Sequence, residues 1–125
     1  MSAVAAARAE REVVQICRDL LRIDTSNYGD SSGPGERRAA EYVAASLADV
    51  GLEPELFESE PGRANVVVRI PGVDRDRPAL VVHGHLDVVP ADASEWQVDP
   101  FAGIERDGCL WGRGAVDMKD MVAMM

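Results

Sequence analysis

Two runs of nearly continuous apolar character, Ala64 to Ile70 (ANVVVRI) and Ala79 to His83 (ALVVH), constrain this chain most. Valine favours extended backbone, and runs without polar alternation read as strands covered on both faces. Such strands need helices over them, and the preceding segment supplies two. From about Ala5 to Ile23, Val13, Val14, Ile16, Cys17, Leu20 and Leu21 recur at helical spacing. Arg8, Glu12, Arg18, Asp19 and Arg22 fill the other face. The polar stretch DTSNYGDSSGPGE breaks that helix. A second is expected from about Glu36 to Val50, with Tyr42, Val43, Leu47 and Val50 as its stripe and Gly51 as its stop. Leu56 and Phe57 suggest one more strand, and Pro71-Gly72 with the charged run to Pro78 a turn. Ile104 to Arg106, Asp107-Gly108 and Cys109 to Trp111 read as a hairpin, since Asp-Gly suits a type I′ turn. The order predicts an α/β fold of three layers, with a mixed sheet, helices on its faces and a site at strand ends.

Length and charge bound what such a fold can do. The 125 residues hold one domain with a modest core. A net charge of -9 and a pI near 4.6 exclude the basic patches that nucleic acid or anionic membrane surfaces require. No apolar stretch approaches the roughly 20 residues of a membrane span, and the N-terminus lacks the pattern of a secretory signal. Cys17 and Cys109 have no paired spacing, which favours reduced thiols and a cytoplasmic setting. The last stretch, DMKDMVAMM, opens like a helix and turns apolar without a capping glycine or polar tail. The expectation is therefore a truncated domain, prone to self-association through an open sheet edge.

The chemistry concentrates in HGHLDVVP, from His83 to Pro90. Period-two geometry places His83, His85 and Asp87 on one side of a strand, if the extended conformation persists that far. Imidazole is the commonest zinc ligand, and a nearby carboxylate can ligate or fix the ring tautomer. The alternative is a histidine capping a strand and an aspartate opening a turn. The second stretch, GRGAVDMKD from Gly112 to Asp120, fails as a phosphate loop. It lacks GxxxxGK[ST], and Asp117 holds the position that would complete GxGxxG. A carboxylate there suits a cation, which it can bridge to a second one in a two-metal hydrolase. Read alone, Asp117 is a helix N-cap.

Together these stretches resemble a two-zinc metallopeptidase family. It contains aminoacylases, acetylornithine deacetylase, succinyl-diaminopimelate desuccinylase, carboxypeptidase G and carnosine-type dipeptidases. The resemblance also takes in LLRIDTSN, GPGE, WQVDPF and DGCLWGRGAVDMKD. It implies that His85 ligates one zinc, that Asp87 orients His85, and that Asp117 bridges both zincs, followed by a cis peptide bond to Met118. His83 falls where the family tolerates many residues and is not counted as a ligand. Asp120 stands where the family more often has glycine and is given no role. The resemblance further implies a catalytic domain of which residues 1–125 are the N-terminal portion. The paired glutamates, further ligands and an inserted dimerisation or lid domain would lie beyond it.

The expected function is metal-dependent hydrolysis of an amide bond in a dipeptide or N-acyl amino acid by the full-length enzyme. Two Zn²⁺ would serve, with Co²⁺ or Mn²⁺ as substitutes, and a homodimer is compatible with the family. The 125-residue chain itself is expected to bind zinc weakly and to be inactive, because two protein ligands fall short of the usual three or four. Rival readings are a binding or regulatory module with this fold, and an HxHxD metallohydrolase in which His83 would face the metal beside His85. Cys17 reads as core; Trp96, Phe101 and Trp111 as packing around the site; Met118, Met121, Met124 and Met125 as helix core. Arg113 would support its loop by hydrogen bonds or contact a substrate carboxylate, the former being preferred.

Overall fold

The computed structural model describes residues 2–125. Helix α1 spans Ala3–Leu21 and opens on Ser2, whose Oγ accepts from the Ala5 N–H at 3.2 Å. Its stripe delivers Cys17, Leu20 and Leu21 to the core at 5%, 0% and 0% exposure. Helix α2 spans Arg37–Asp49. Its N-cap residue, Glu36, makes no side-chain cap bond. The first free N–H groups of the helix are instead met by another chain segment. Glu36 and Arg37 N–H both donate to the Gly62 carbonyl, at 2.8 and 3.0 Å. Gly35, at φ 75°, makes that approach possible, since a Cβ there would lie 2.4 Å from the same oxygen. Gly51 ends the helix at φ 83°.

Strands β1 (Glu55–Glu60) and β2 (Arg63–Val67) form an antiparallel hairpin with a bulge between Glu58 and Glu60. Helix α2 packs on this hairpin, burying Ala39, Ala40 and Ala64. Strands β3 (Ile104–Arg106) and β4 (Cys109–Trp111) form a second antiparallel hairpin. Its turn residues Asp107 and Gly108 both have positive φ, 54° and 74°, as a type I′ turn demands. The hairpin is tied to α1 by Arg18–Glu105 at 2.6 Å. Arg22 Nε adds a bond to the Ala102 carbonyl at 3.1 Å. Helix α3 (Lys119–Met124) packs against α1.

The chain is thus an α/β arrangement of helices and small sheets, and the structure departs from the expected layout in three places. Ala79 to His83 forms no strand, and Leu80, Val81 and Val82 are 88%, 77% and 64% exposed. Extended backbone becomes a strand only when a neighbour takes up its N–H and C=O groups, and no such neighbour lies beside it among the described residues. For the same reason β2 ends at Val67, short of Ile70, and the doubly covered face expected of it is absent: Val67 is 38% exposed. The described residues hold two separate two-stranded sheets in place of a mixed sheet.

Candidate metal centre

The site is built on a crossing of loops below the C-terminus of α1. Residues after that helix run beside Leu86 to Val88, with a parallel bridge between Ser26 and Val88. Val88 N–H donates to Thr25 O at 3.1 Å, and Asn27 N–H to Val88 O at 2.8 Å. Thr25, fully buried, adds a bond from Oγ1 to Leu86 O at 2.7 Å. Val88 itself is 4% exposed. It sits under Gly114, whose added Cβ would come within 2.6 Å of Val88 Cγ1. That contact and a φ of 87° explain why the GRG turn holds glycine here.

From this base the structure brings His85, Asp87 and Asp117 together. His85 Nδ1 lies 3.0 Å from the Asp87 carbonyl oxygen and 3.1 Å from Asp87 Oδ1. His85 Nε2 lies 3.0 Å from Asp117 Oδ1. The Asp117–Met118 peptide bond is cis. Asp117 does not cap α3: the N-cap residue is Met118, which makes no side-chain cap bond. The carboxylate is instead turned to the imidazole, and its side chain is 86% exposed.

In the neutral tautomer that donates Nδ1–H to Asp87, the Nε2 lone pair faces the exposed Asp117 oxygen, a position that a cation between them would stabilise. Burial works against the imidazolium, but the bonds and charges of Asp87 and Asp117 outweigh it and raise the His85 pKa above its usual value. These donors fit a divalent metal as a pair of ligands and no more. Among the described residues no three His, Cys, Asp or Glu side chains gather as a metal group.

The three residues border a cleft of about 570 Å³, lined also by Asn27, Trp96 and Arg113. His83 does not line it, so the HxHxD arrangement gains no support. Gly84 serves packing: a Cβ there would meet Val122 and Met125 of the α3 segment at 3.0 and 3.1 Å. Arg113 overturns the expectation of side-chain loop support. Its Nε is buried without a hydrogen-bond partner and its guanidinium stands over the Trp96 ring at 5.2 Å. The loop is held by the backbone, Arg113 N–H donating to Pro100 O at 2.8 Å. Cys17 is inert core, its thiol pKa pushed up by burial and then by Asp120.

Two contributors were missed in the sequence. Lys119 is fully buried, and its Nζ donates to Leu20 O at 3.0 Å and Ile23 O at 2.8 Å. It adds a second donor to the Leu20 carbonyl, which also accepts from the Ile23 N–H, takes up the Ile23 carbonyl just past α1, and so pins the Asp117 turn to the end of that helix. Its pKa falls from 10.5 to about 8, chiefly through burial. A lysine among methionines gave no hint of this, since lysine is rarely buried. Asn27, which reaches Asp87, lay in a quoted motif, but nothing in the sequence showed what it faces.

Fold and site define an α/β chain that offers an imidazole and a carboxylate jointly at the rim of a cleft. Residues 81–125, which hold all three site residues, match Peptidase family M20/M25/M40. The chain is 39% identical over 114 residues to a succinyl-diaminopimelate desuccinylase of Methylobacterium radiotolerans, covering 90% of this chain and 27% of that one. It is 36% identical over 126 residues to succinyl-diaminopimelate desuccinylase 2 of Ruegeria sp., covering 98% and 30%. It is 33% identical over 116 residues to N-formyl-4-amino-5-aminomethyl-2-methylpyrimidine deformylase of Bacillus subtilis, covering 91% and 26%. These matches show the resemblance to the metallopeptidase family that the motifs carried. The chain spans about a quarter of the length of these relatives.

Proposed function

We propose that this chain supplies part of the active site of a metal-dependent amide hydrolase. The observation that carries the reading is the convergence of His85 Nε2 and Asp117 Oδ1 at 3.0 Å, with Asp87 behind Nδ1. His85 and Asp117 would hold the metal, with Asp117 shared between two Zn²⁺ and Co²⁺ or Mn²⁺ able to substitute. When bound, such a pair polarises an amide carbonyl and lowers the pKa of water. Asp87 touches neither substrate nor metal in this scheme. It positions His85 by accepting from Nδ1–H, which leaves the Nε2 lone pair outward. Trp96 and Arg113 form a cleft wall against which a small substrate is held.

The desuccinylases and the deformylase above, by their names, remove acyl groups, and the substrate class proposed here follows them: an N-acyl amino acid or a dipeptide. In this reading residues 1–125 belong to the N-terminal portion of a larger three-layer catalytic domain. Added strands would pair with Leu80 to Val82, and an inserted lid or dimerisation domain and the general-base glutamate would come from outside these residues. A homodimer is the proposed assembly. A cytoplasmic setting fits the two free thiols, Cys17 and Cys109, and no described helix is long and apolar enough to cross a membrane.

The test is hydrolysis of N-succinyl, N-formyl and N-acetyl amino acids and of dipeptides by the protein extended to the length of its relatives. Activity should vanish with chelator, return with Zn²⁺, and be abolished by Asp117→Ala. Asp87→Ala should slow turnover and leave the fold intact. Normal turnover in either variant would overturn the assignment, and turnover by residues 1–125 alone would refute the need for outside ligands.

A further inference from the structure

Asp87 can fix His85 only if Asp87 is itself fixed, and the loop after α1 provides the means. Asn27 Nδ2 donates to Asp87 Oδ2 at 2.8 Å. Its Oδ1 accepts the Gly29 N–H at 2.9 Å. That second bond settles which end of the amide faces Asp87, because an N–H can donate only to the oxygen end. The remaining carboxylate oxygen, Asp87 Oδ1, lies 3.1 Å from His85 Nδ1. A chain of polar contacts therefore runs from the Gly29 N–H through Asn27 and Asp87 to the imidazole. Its base is set by backbone bonds that do not involve the Asn27 side chain: Asn27 N–H to Val88 O and Val88 N–H to Thr25 O.

We infer that Asn27 is a positioning residue of this site, holding Asp87 so that its Oδ1 faces His85 Nδ1 and the imidazole keeps its lone pair on Nε2. The inference rests on reading His85 as a metal ligand oriented by Asp87, and it adds the residue that makes that orientation unique. A carboxylate accepting from Nδ1–H is free to rotate unless its other oxygen is held, and Asn27 is the donor that holds it. The rival account is also on the same atoms. The Asp87 carbonyl oxygen lies 3.0 Å from Nδ1, so the backbone alone would set the tautomer if the carboxylate were idle.

Imidazole nitrogens of ¹⁵N-labelled protein decide between them, read at a pH above the imidazole range. Only His83 and His85 contribute, and His83, which does not line the cleft, is the internal reference. In the native chain His85 should show a protonated Nδ1 and a lone-pair Nε2. Asn27→Ala and Asn27→Ser should both raise the Nε2–H to Nδ1–H ratio of His85 severalfold, with His83 unmoved. The serine keeps an oxygen for the Gly29 N–H but is too short for Asp87. Protection of the Val88 amide from exchange should persist in both variants. An unchanged His85 pattern with Val88 still protected would overturn the inference in favour of the backbone. A change in His85 that appears only with loss of Val88 protection would overturn it too, since Asn27 would then merely hold the loop. No metal enters the measurement, so failure of the hydrolase reading and failure of this inference are separable.

Discussion

Val88 and the run Leu80 to Val82 lie close together in the sequence and share their apolar character, yet they end in opposite environments. Val88 is 4% exposed; Val81 is 77% exposed. The difference is hydrogen-bonding company. Val88 has its N–H and C=O taken by Thr25 and Asn27 and its side chain roofed by Gly114. Leu80 to Val82 have no ladder partner among the described residues. Apolar content says that a segment is suited to burial, while its partners decide whether it becomes a strand. The residues that cradle the site are therefore held by mutual backbone bonds and packing, whereas the Leu80 to Val82 run beside them is exposed.

Substitutions can break or sharpen that contrast. The largest effect is expected at Lys119, which ties the cradle to α1. Lys119→Ala removes a fully buried stem, takes the Nζ donor from the Ile23 carbonyl and leaves the Leu20 carbonyl with the Ile23 N–H, a loss of about 4 kcal/mol in urea unfolding. Gly114→Ala should cost about 3 kcal/mol by the same measurement, from a positive φ combined with overlap at Val88. If either variant unfolds at the native urea midpoint, the cradle is not the stable half.

The pH dependence follows from the same lysine. Its folded pKa, about 8, lies below the ordinary 10.5. The folded chain therefore releases this proton near pH 8 while the unfolded chain holds it to higher pH. Unfolded protein binds more protons in between, so stability rises with pH from about 8 to 10.5, by at most roughly 3 kcal/mol for this group. Unfolding at pH 7.5 and pH 10 measures it, and Lys119→Met should flatten the difference. The smallest effects compare like with like. Val88→Ala should cost about 2 kcal/mol and Val81→Ala less than about 0.5. Equal losses would mean that the Leu80 to Val82 run is covered in solution.

Much of the cradle was legible. The Gly51 stop and the Asp107-Gly108 turn follow from backbone preference and lie where they were expected. The stripes hold only in part: α1 buries Cys17, Leu20 and Leu21 but leaves Val14 exposed. Helix α2 buries Ala39 and Ala40 in place of the expected Tyr42, Val43, Leu47 and Val50, the last of them exposed. His85, Asp87 and Asp117 were named from two short motifs, and the structure draws them together. What could not be read depended on distant partners. No local pattern shows that Ala79 to His83 lacks a neighbour, that Lys119 is buried against carbonyls far back in the chain, or that Asn27 faces Asp87. Arg113 was misjudged for a related reason. A guanidinium between two glycines suggests loop bonds, but here the backbone N–H holds the loop and Trp96 takes the side chain.

In the proposed reading His85 and Asp117 form part of a two-metal site whose other ligands come from outside residues 1–125. Zinc content after exhaustive dialysis tests it most directly, on residues 1–125, on the protein extended to the length of its relatives, and on that protein carrying Asp117→Ala. Almost no zinc is expected in the first, two ions per chain in the second, and loss of at least one in the third. Near-stoichiometric zinc on residues 1–125, or two ions retained without Asp117, would contradict it.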